Sequence, residues 1–257
     1  TQNDIPVIAR SWEFSDGGRT VTFHMRRGAC FSDGHPITSD DVKFCFDVVM
    51  DSTLHPSMQD GLVIPINGQR VPYTYSAPDS YTFVVTSPAV DALLLSHVSN
   101  IRVMPRHVLE PAFKAGRFAA AYNTATPPES LVTSGPWRVR SYLENQQTVL
   151  ARNPYWLGVD AKGRRLPYLD EVVFRVAKDQ DAVAQMFHAG ELDGLDRVKP
   201  EDYKQFDAEQ KSKGFTLHEV GPSFNTEFMW FNLNRVRKAG KGKRPGRAGC
   251  EEAARGK

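Results

Sequence analysis

Residues 133–170, TSGPWRVRSYLENQQTVLARNPYWLGVDAKGRRLPYLD, contain the pattern that decides the fold of this chain. Ser134, Gly135 and Pro136 are typical of a tight turn. After this turn, apolar residues recur at every second position on both sides of a polar segment at 144–146: Trp137, Val139, Val149 and Ala151. A period of two is typical of half-buried antiparallel strands, so the segment is predicted to form a β-hairpin.

An Asn-Pro pair ends the second predicted strand. Pro154 has no N–H to donate to a neighbouring strand, and it restricts Asn153 to extended conformations. Two aromatic residues, Tyr155 and Trp156, follow immediately. We interpret both, together with Trp137, as core aromatics that hold this loop to the domain.

Patterns elsewhere in the chain indicate further hairpins and separate helices. Alternating residues predict hairpins over 7–26 and 71–85. Thr38 and Asp41 have the spacing of a capping box, which predicts a helix from about residue 39 to 51. The segment 52–69 lacks periodicity and is predicted to be an irregular loop.

Later segments complete this mixed pattern. Helical spacing is present over 90–98, from 106 onward and over 179–189, and short apolar segments predict strands at 172–176 and 192–195. Strands and helices do not alternate regularly along the chain. The sequence therefore predicts an α+β fold with mixed sheets, hairpins and flanking helices.

The organising segment resembles the central signature of the family 5 extracellular solute-binding proteins, the peptide- and nickel-type receptors of ABC importers. The resemblance begins with Gly135-Pro136-Trp137, Arg152-Asn153-Pro154-Tyr155-Trp156 and the segment PYLDEVVF at 167–174. Further segments occur in the order that the family has them: Trp12-Glu13, FSDG at 31–34, TSDDV at 38–42, PRHVLE at 105–110, GELDG at 190–194 and FNLN at 231–234. The resemblance spans residues 5 to 235.

This resemblance implies the first lobe of a two-lobed, type II periplasmic-binding-protein-like fold. Family members close two lobes on an extended solute and deliver it to an ABC transporter permease. The implied function is capture of peptides or similar solutes in the periplasm or outside the cell, in association with the cell envelope. The resemblance implies no catalytic activity and no cofactor, and it implies membrane contact only through the permease or a lipid anchor.

By analogy with relatives, ligand contacts are expected in the loop after the first long helix and in the strands that lead to the hinge. The candidate ligand-binding residues are Met58, Gln59, Ser134, Phe228, Trp230 and Asn232. Phe228 and Trp230 are equally compatible with inward packing on their own strand.

The predicted lobe covers residues 1–234, with a hairpin-rich part at 15–165 and a hinge-proximal part at 166–234. Residues 235–257 hold nine of the 32 basic residues and two of the 30 acidic ones, so the net charge of the chain is +2 but that of 1–234 is −5. This basic segment is expected to be disordered, and it indicates either a gene fragment or, as we favour, a shifted reading frame. An alternative function is a non-catalytic β-rich interaction module whose basic tail binds nucleic acid or anionic surfaces. Because the tail lacks aromatic residues that stack on bases, no nucleic-acid partner is expected.

The remaining reactive residues do not form a recognisable catalytic or metal motif. The seven histidines occur singly, and no Cys-x-x-Cys spacing is present. No metal site is predicted, although a nickel chelate as the transported solute stays open. Cys30 and Cys45 are interpreted as two small buried thiols, with a disulfide between them as the alternative.

Overall fold

The computed structural model of the chain describes residues 6–54, 56–219 and 221. Phe228, Trp230 and Asn232, predicted as ligand contacts, and the basic segment 235–257 lie outside the described residues. The chain divides into two compact units between Leu195 and Asp196.

Helices and strands are mixed along the described chain, as an α+β fold requires. The strands are β1 (Ala9–Ser15), β2 (Thr20–Met25), β3 (Val63–Ile66), β4 (Gln69–Pro72), β5 (Thr74–Asp79), β6 (Thr82–Thr86), β7 (Trp137–Leu143), β8 (Gln147–Arg152) and β9 (Glu171–Arg175). The helices are α1 (Ser39–Met50), α2 (Leu94–Ser99), α3 (Arg106–Lys114), α4 (Gln180–His188) and α5 (Tyr203–Lys213).

An antiparallel sheet with the order β1-β2-β6-β5 contributes three of the nine buried residues of the main core, and helices α1 and α2 contribute four. Phe46 of α1 is fully buried, and its ring centroid lies 4.9 Å from that of Phe83 on β6. Thr38 begins α1 because both its N–H and its hydroxyl donate to Asp41 Oδ2, at 2.9 and 3.0 Å. The two predicted hairpins and the capped helix between them are confirmed.

The segment after α1 is more regular than its sequence indicates. It contains a 3-10 helix, Ser57–Leu62, and strand β3, which pairs with β4 as a hairpin. Asn67 and Gly68 form the turn of this hairpin, with φ angles of 50° and 80°. Positive φ at both central positions is the geometry that an Asn-Gly pair favours in a two-residue hairpin. The prediction of an irregular loop over 52–69 is therefore wrong for its second half.

A second antiparallel sheet has the order β7-β8-β9 and confirms the hairpin predicted from residues 137–152. Its pairing places Tyr142, Thr148 and Phe174 in one row across the three strands. Directly paired residues share a face of a sheet. Tyr142 and Phe174 are exposed on this face.

Helix α4 follows β9 and begins at Asp179, whose carboxylate accepts the N–H of Ala182 at 2.9 Å. Gly190 follows the helix with a φ of 75°, which confirms the predicted helix end. The strand predicted at 192–195 is wrong, since these residues are irregular and pair with no strand of the described chain. Four residues interrupted by Gly194 have too little pairing energy to form a strand without a neighbour.

The described part of the second compact unit contains helix α5. Phe206 is its buried residue, and the Phe206 and Phe215 ring centroids lie 5.9 Å apart. Gly214, with a φ of 72°, ends the helix in the left-handed conformation.

Candidate solute-binding site

The first two predicted ligand contacts, Met58 and Gln59, lie in the 3-10 helix Ser57–Leu62 between α1 and β3. Met58 is exposed, and Gln59 is half-buried. The imidazole of His97 packs so closely on this helix that a Cβ at Gly61 would lie 3.3 Å from it. Gly61 therefore allows α2 to support the segment that presents Met58 and Gln59.

A hydrogen-bonded network around Asp91 holds this support in position. The Asp91 carboxylate accepts the hydroxyl of Tyr73, pairs with His97 Nδ1 at 3.1 Å and accepts the N–H of Leu93 at 2.9 Å. Burial alone raises the pKa of Asp91, but the hydrogen bonds from Tyr73 and Leu93 and the charge of His97 outweigh it, so the pKa lies below its ordinary value. Burial and the Asp91 carboxylate raise the pKa of Tyr73. Sequence reasoning did not find this network, because Tyr73 lies 18 residues before Asp91 and no motif connects the two positions.

Ser134 belongs to residues 133–136, which lead from the part of the chain before them into β7 and are called the crossing segment below. Its hydroxyl donates to the carbonyl of Val103 at 2.7 Å. Thr133 exchanges two hydrogen bonds with Ser32: its N–H donates to Ser32 Oγ at 3.0 Å, and the Ser32 N–H donates to its carbonyl at 2.8 Å. These bonds join the crossing segment to two distant loops.

Asn153 holds the other side of the crossing segment and is 1% exposed. Its side-chain amide donates to the Gly135 carbonyl at 2.8 Å, and its N–H donates to the Pro136 carbonyl at 2.8 Å. Its side-chain oxygen accepts the N–H of Tyr155 at 2.9 Å. The sequence identified Asn153 only as the residue before a proline, so its role as the residue that ties the turn to the loop was missed.

The aromatic residues that follow Asn153 are not all buried. Trp137 and Trp156 are half-buried, but Tyr155 is 46% exposed, so its interpretation as a core residue is wrong. The Tyr155 ring lies over Gly34, where a Cβ would be 3.1 Å from its Cζ atom. Gly34 has a φ of 88°, so both its conformation and this contact favour glycine.

An apolar cavity of about 470 Å³ lies beside the crossing segment. Ser134, Gly135 and Pro136 form part of its wall, together with Trp12 and Trp156. Cavities of this size and apolar character are typical of sites that bind small solutes. Met58 and Gln59 are not part of this wall, so the structure does not bring the described candidate residues together in one cavity.

His107 forms a second cluster near the crossing segment. Its Nε2 lies 2.7 Å from Asp33 Oδ2, and its ring stacks on that of His35 with the centroids 3.9 Å apart. Partial burial alone raises the pKa of Asp33, but hydrogen bonds from His107 and from the backbone of His35 outweigh it, so the pKa lies below its ordinary value. The pair joins α3 to the turn that contains Ser32, which agrees with a structural role for His107.

Within residues 6–54, 56–219 and 221, no group of three or more His, Cys, Asp or Glu side chains is arranged to hold a metal ion. Cys30 and Cys45 are both free thiols, and Cys45 is buried while Cys30 is half-buried. Burial raises the pKa of Cys45 to about 12. Of the two interpretations, free thiols are therefore correct, although only Cys45 is buried. No helix in these same ranges is long and apolar enough to cross a membrane.

This chain belongs to the family described as "Bacterial extracellular solute-binding proteins, family 5 Middle", whose model matches residues 5–244. The predicted family and the α+β first-lobe fold are confirmed. Proteins of this family are periplasmic or extracellular solute-binding components of ABC transporters and are not enzymes.

The relatives of this chain are considerably longer proteins. It is 30% identical over 243 residues to a "Probable ABC transporter-binding protein" of Deinococcus radiodurans, with 91% of this chain and 40% of that protein covered. It is 32% identical over 209 residues to the "Periplasmic alpha-galactoside-binding protein" of Rhizobium meliloti, with 77% and 29% covered. The crystal structure of the substrate-binding protein CtaP of Listeria monocytogenes matches at 25% identity and a TM-score of 0.64, with 79% and 38% covered. Further relatives are named as peptide-binding proteins.

Proposed function

We propose that this chain forms part of the substrate-binding component of an ABC importer, which captures an extended solute outside the cytoplasmic membrane and delivers it to a permease. The observation that carries this proposal is the family match over residues 5–244. The chain spans between 29% and 42% of the length of the relatives described above, so the complete receptor would contain a further lobe.

The chemistry of the cavity beside the crossing segment supports a solute with apolar groups and a repeating polar backbone. Trp12 and Trp156 provide aromatic surface, and Ser99 and Ser134 contribute polar residues to the wall. Peptides are recognised by main-chain hydrogen bonds, with waters filling pockets around varied side chains. Since relatives are named both for peptides and for an alpha-galactoside, we propose a peptide as the first candidate and an oligosaccharide as the second.

In the proposed mechanism the extended solute contacts Ser134 in the wall of the cavity, Met58 and Gln59 outside it, and Phe228, Trp230 and Asn232 near the hinge. The hydrogen bonds of the crossing segment hold Ser134 to Val103 and Gly135 to Asn153. These contacts keep the wall of the cavity in one conformation before the solute arrives, which lowers the entropy lost on binding. Closure of a second lobe over the solute would follow, as in periplasmic binding proteins.

A titration followed by backbone NMR tests this site directly. The probes are the tripeptide Ala-Ala-Ala and the alpha-galactoside raffinose. We expect saturable shifts at the amides of Met58, Gln59 and Ser134 with only one probe, at an affinity of about 1 mM because one lobe supplies only part of the contacts.

Paired glutamine variants provide the control. Gln59→Ala should weaken binding, whereas Gln69→Ala, an exposed substitution on β4, should leave it unchanged. An absence of saturable shifts with both probes contradicts the proposed site. Micromolar affinity contradicts the need for a second lobe.

A further inference from the structure

Three arginine side chains surround the end of strand β2. Arg26 and Arg27 follow Met25 directly, and Arg10 lies at the irregularity in the pairing between β1 and β2. Arg10 and Arg27 border two cavities of about 310 and 530 Å³, and Arg26 borders the smaller one. The three guanidinium groups are therefore concentrated in one region of the surface, called the arginine site below.

Two of these guanidinium groups are held in place by contacts that do not neutralise their charge. Arg26 Nε donates to the Val7 carbonyl at 2.7 Å, and Arg26 Nη2 donates to the Pro6 carbonyl at 3.4 Å. The guanidinium carbon of Arg27 lies 4.3 Å from the centre of the Tyr81 ring. A guanidinium group has five N–H donors, so each of these side chains keeps donors for another acceptor.

The three arginines of the arginine site form no ion pair at contact distance within the described chain. Seven other arginines there form ion pairs with carboxylates: Arg19, Arg70, Arg106, Arg140, Arg152, Arg164 and Arg175. None of Arg10, Arg26 and Arg27 does so with a described residue, and no described carboxylate borders the smaller cavity. Asp79 borders the larger cavity, where its carboxylate accepts the N–H of Tyr81 at 2.8 Å and interacts with the charge of Arg27, so one negative charge faces the three arginines. The region therefore carries an excess of positive charge.

We propose that Arg10, Arg26 and Arg27 form a binding site for a phosphate-type oxyanion. The planar guanidinium fork matches two oxygens of a phosphate group and forms short, charge-assisted hydrogen bonds with them. Because two of the forks are already oriented, binding orders few additional side chains. Neither cavity is bordered by Met58, Gln59 or Ser134, so this site is separate from the proposed solute contacts and does not depend on them.

The oxyanion has two sources with the same chemistry: free phosphate esters, or the phosphate of an anionic lipid headgroup. Calorimetric titration of the chain with inorganic phosphate at low chloride concentration tests the shared chemistry. We expect saturable binding that Arg10→Gln and Arg27→Gln each weaken by about tenfold or more, since each removes a charge-assisted contact. Arg27→Lys keeps the charge but lacks the fork and should give an intermediate loss.

Arg70→Gln is the matched control, because Arg70 is an exposed arginine whose guanidinium pairs with Asp60. It should bind phosphate as the parent chain does. Circular dichroism melts establish that each variant is folded. Arg10 is exposed, and its side chain forms no hydrogen bond with a described residue, so Arg10→Gln should fold even if substitution of Arg27 disturbs the contact with Tyr81.

Co-sedimentation with vesicles separates the two sources. Binding to phosphatidylglycerol vesicles but not to phosphatidylcholine vesicles, with competition by phosphate, assigns the site to a lipid headgroup. Phosphate binding without vesicle binding assigns it to a free phosphate. The proposal is overturned if neither probe binds, or if folded Arg10→Gln and Arg27→Gln variants bind like the parent, which would place binding in the basic segment 235–257.

Discussion

The two sheets of this chain differ in how completely they are covered. In the sheet β1-β2-β6-β5, Val21, Phe83 and Val85 are at most 1% exposed, and helix α1 packs against the sheet. In the sheet β7-β8-β9, Val173 and Phe174 are 48% and 58% exposed. The hairpin strands of both sheets have the same alternating pattern in the sequence, whereas β9 is a short apolar segment. Alternation in the sequence therefore predicts a strand, but it does not show whether another element packs on the apolar face of that strand.

The largest expected effect comes from removing a core side chain of the covered sheet. Phe46→Ala should lower the free energy of unfolding by about 3–5 kcal/mol, because it leaves a cavity among Tyr75 and Phe83. Urea denaturation measures this change. The matched control is Phe174→Ala in the sheet β7-β8-β9, called the open sheet below. This variant should lower the free energy of unfolding far less. Equal losses for the two variants would contradict the difference between the sheets.

The next largest effect tests how the open sheet is attached. Asn153→Ala should cost about 1–3 kcal/mol, since the Gly135 carbonyl and the Tyr155 N–H lose a buried partner. Urea denaturation again gives the free energy. Relative to the parent chain, the variant should show a larger increase in the rate of amide hydrogen exchange in β7 and β8 than in β2 and β6. An equal increase in exchange rate in both sheets would show that the crossing segment does not stabilise the open sheet in particular.

A smaller effect is expected at the start of α1, the helix that covers the first sheet. Asp41→Ala removes the two hydrogen bonds that the N–H and the hydroxyl of Thr38 donate to the carboxylate, and it should lower the free energy of unfolding by about 0.5–2 kcal/mol. Thermal unfolding followed by circular dichroism measures the loss. Asp40→Ala, in the same turn but exposed, is the control and should cost less. A larger loss for Asp40→Ala would contradict the capping assignment.

The Asp91 network, which lies beside the main core, predicts that the stability of the protein depends on pH. Because the folded-state pKa of Asp91 lies below its ordinary value, its contribution to stability is present above the unfolded pKa of about 3.9 and is lost as the pH falls through the folded pKa. Asp91→Asn should therefore lower the melting temperature at pH 7 and reduce its further fall below pH 4. If the melting temperature of Asp91→Asn depends on pH as that of the parent chain does, this contribution is contradicted.

The smallest effect on stability is expected on the open face. Phe174→Ser should change the free energy of unfolding by less than about 0.5 kcal/mol, because the side chain is exposed. It should nevertheless reduce self-association and the binding of an apolar dye, since Phe174 and Tyr142 share an exposed apolar surface. Light scattering and dye fluorescence measure these changes. Phe14→Ser, at an exposed position of β1, is the control. An equal reduction in self-association and dye binding in this variant would show that the open sheet contributes no more to either than other exposed aromatic residues do.

Sequence reasoning was most successful where the signal is local. The capping box at Thr38 and Asp41 and the two-residue period around Trp137 depend on neighbours within a few positions, and both predictions are confirmed. The hairpin at Asn67 was missed although its turn signal is equally local. The strand predicted at 192–195 failed because a strand depends on a partner that the local pattern does not reveal.

The candidate site was predicted less completely. Met58, Gln59 and Ser134 were chosen by family analogy, and their role as ligand contacts stays a prediction, as does that of Phe228, Trp230 and Asn232. The residues that support the site, Asn153 and Asp91, were not predicted. Each also bonds to a residue 18 positions away, Asn153 to Gly135 and Asp91 to Tyr73, and no spacing in the sequence indicates these two contacts.

The ordered motifs of the sequence indicate the family of this protein, and its short-range turn chemistry and side-chain periodicity indicate most of its hairpins and capped helices. Only the tertiary structure decided that β6 lies between β2 and β5, and that Asp33 meets His107 across 74 residues of chain. It also decided which of two similarly patterned sheets is covered. These outcomes depend on contacts between distant segments, whose formation reflects the packing of the whole fold and not the preference of any one segment.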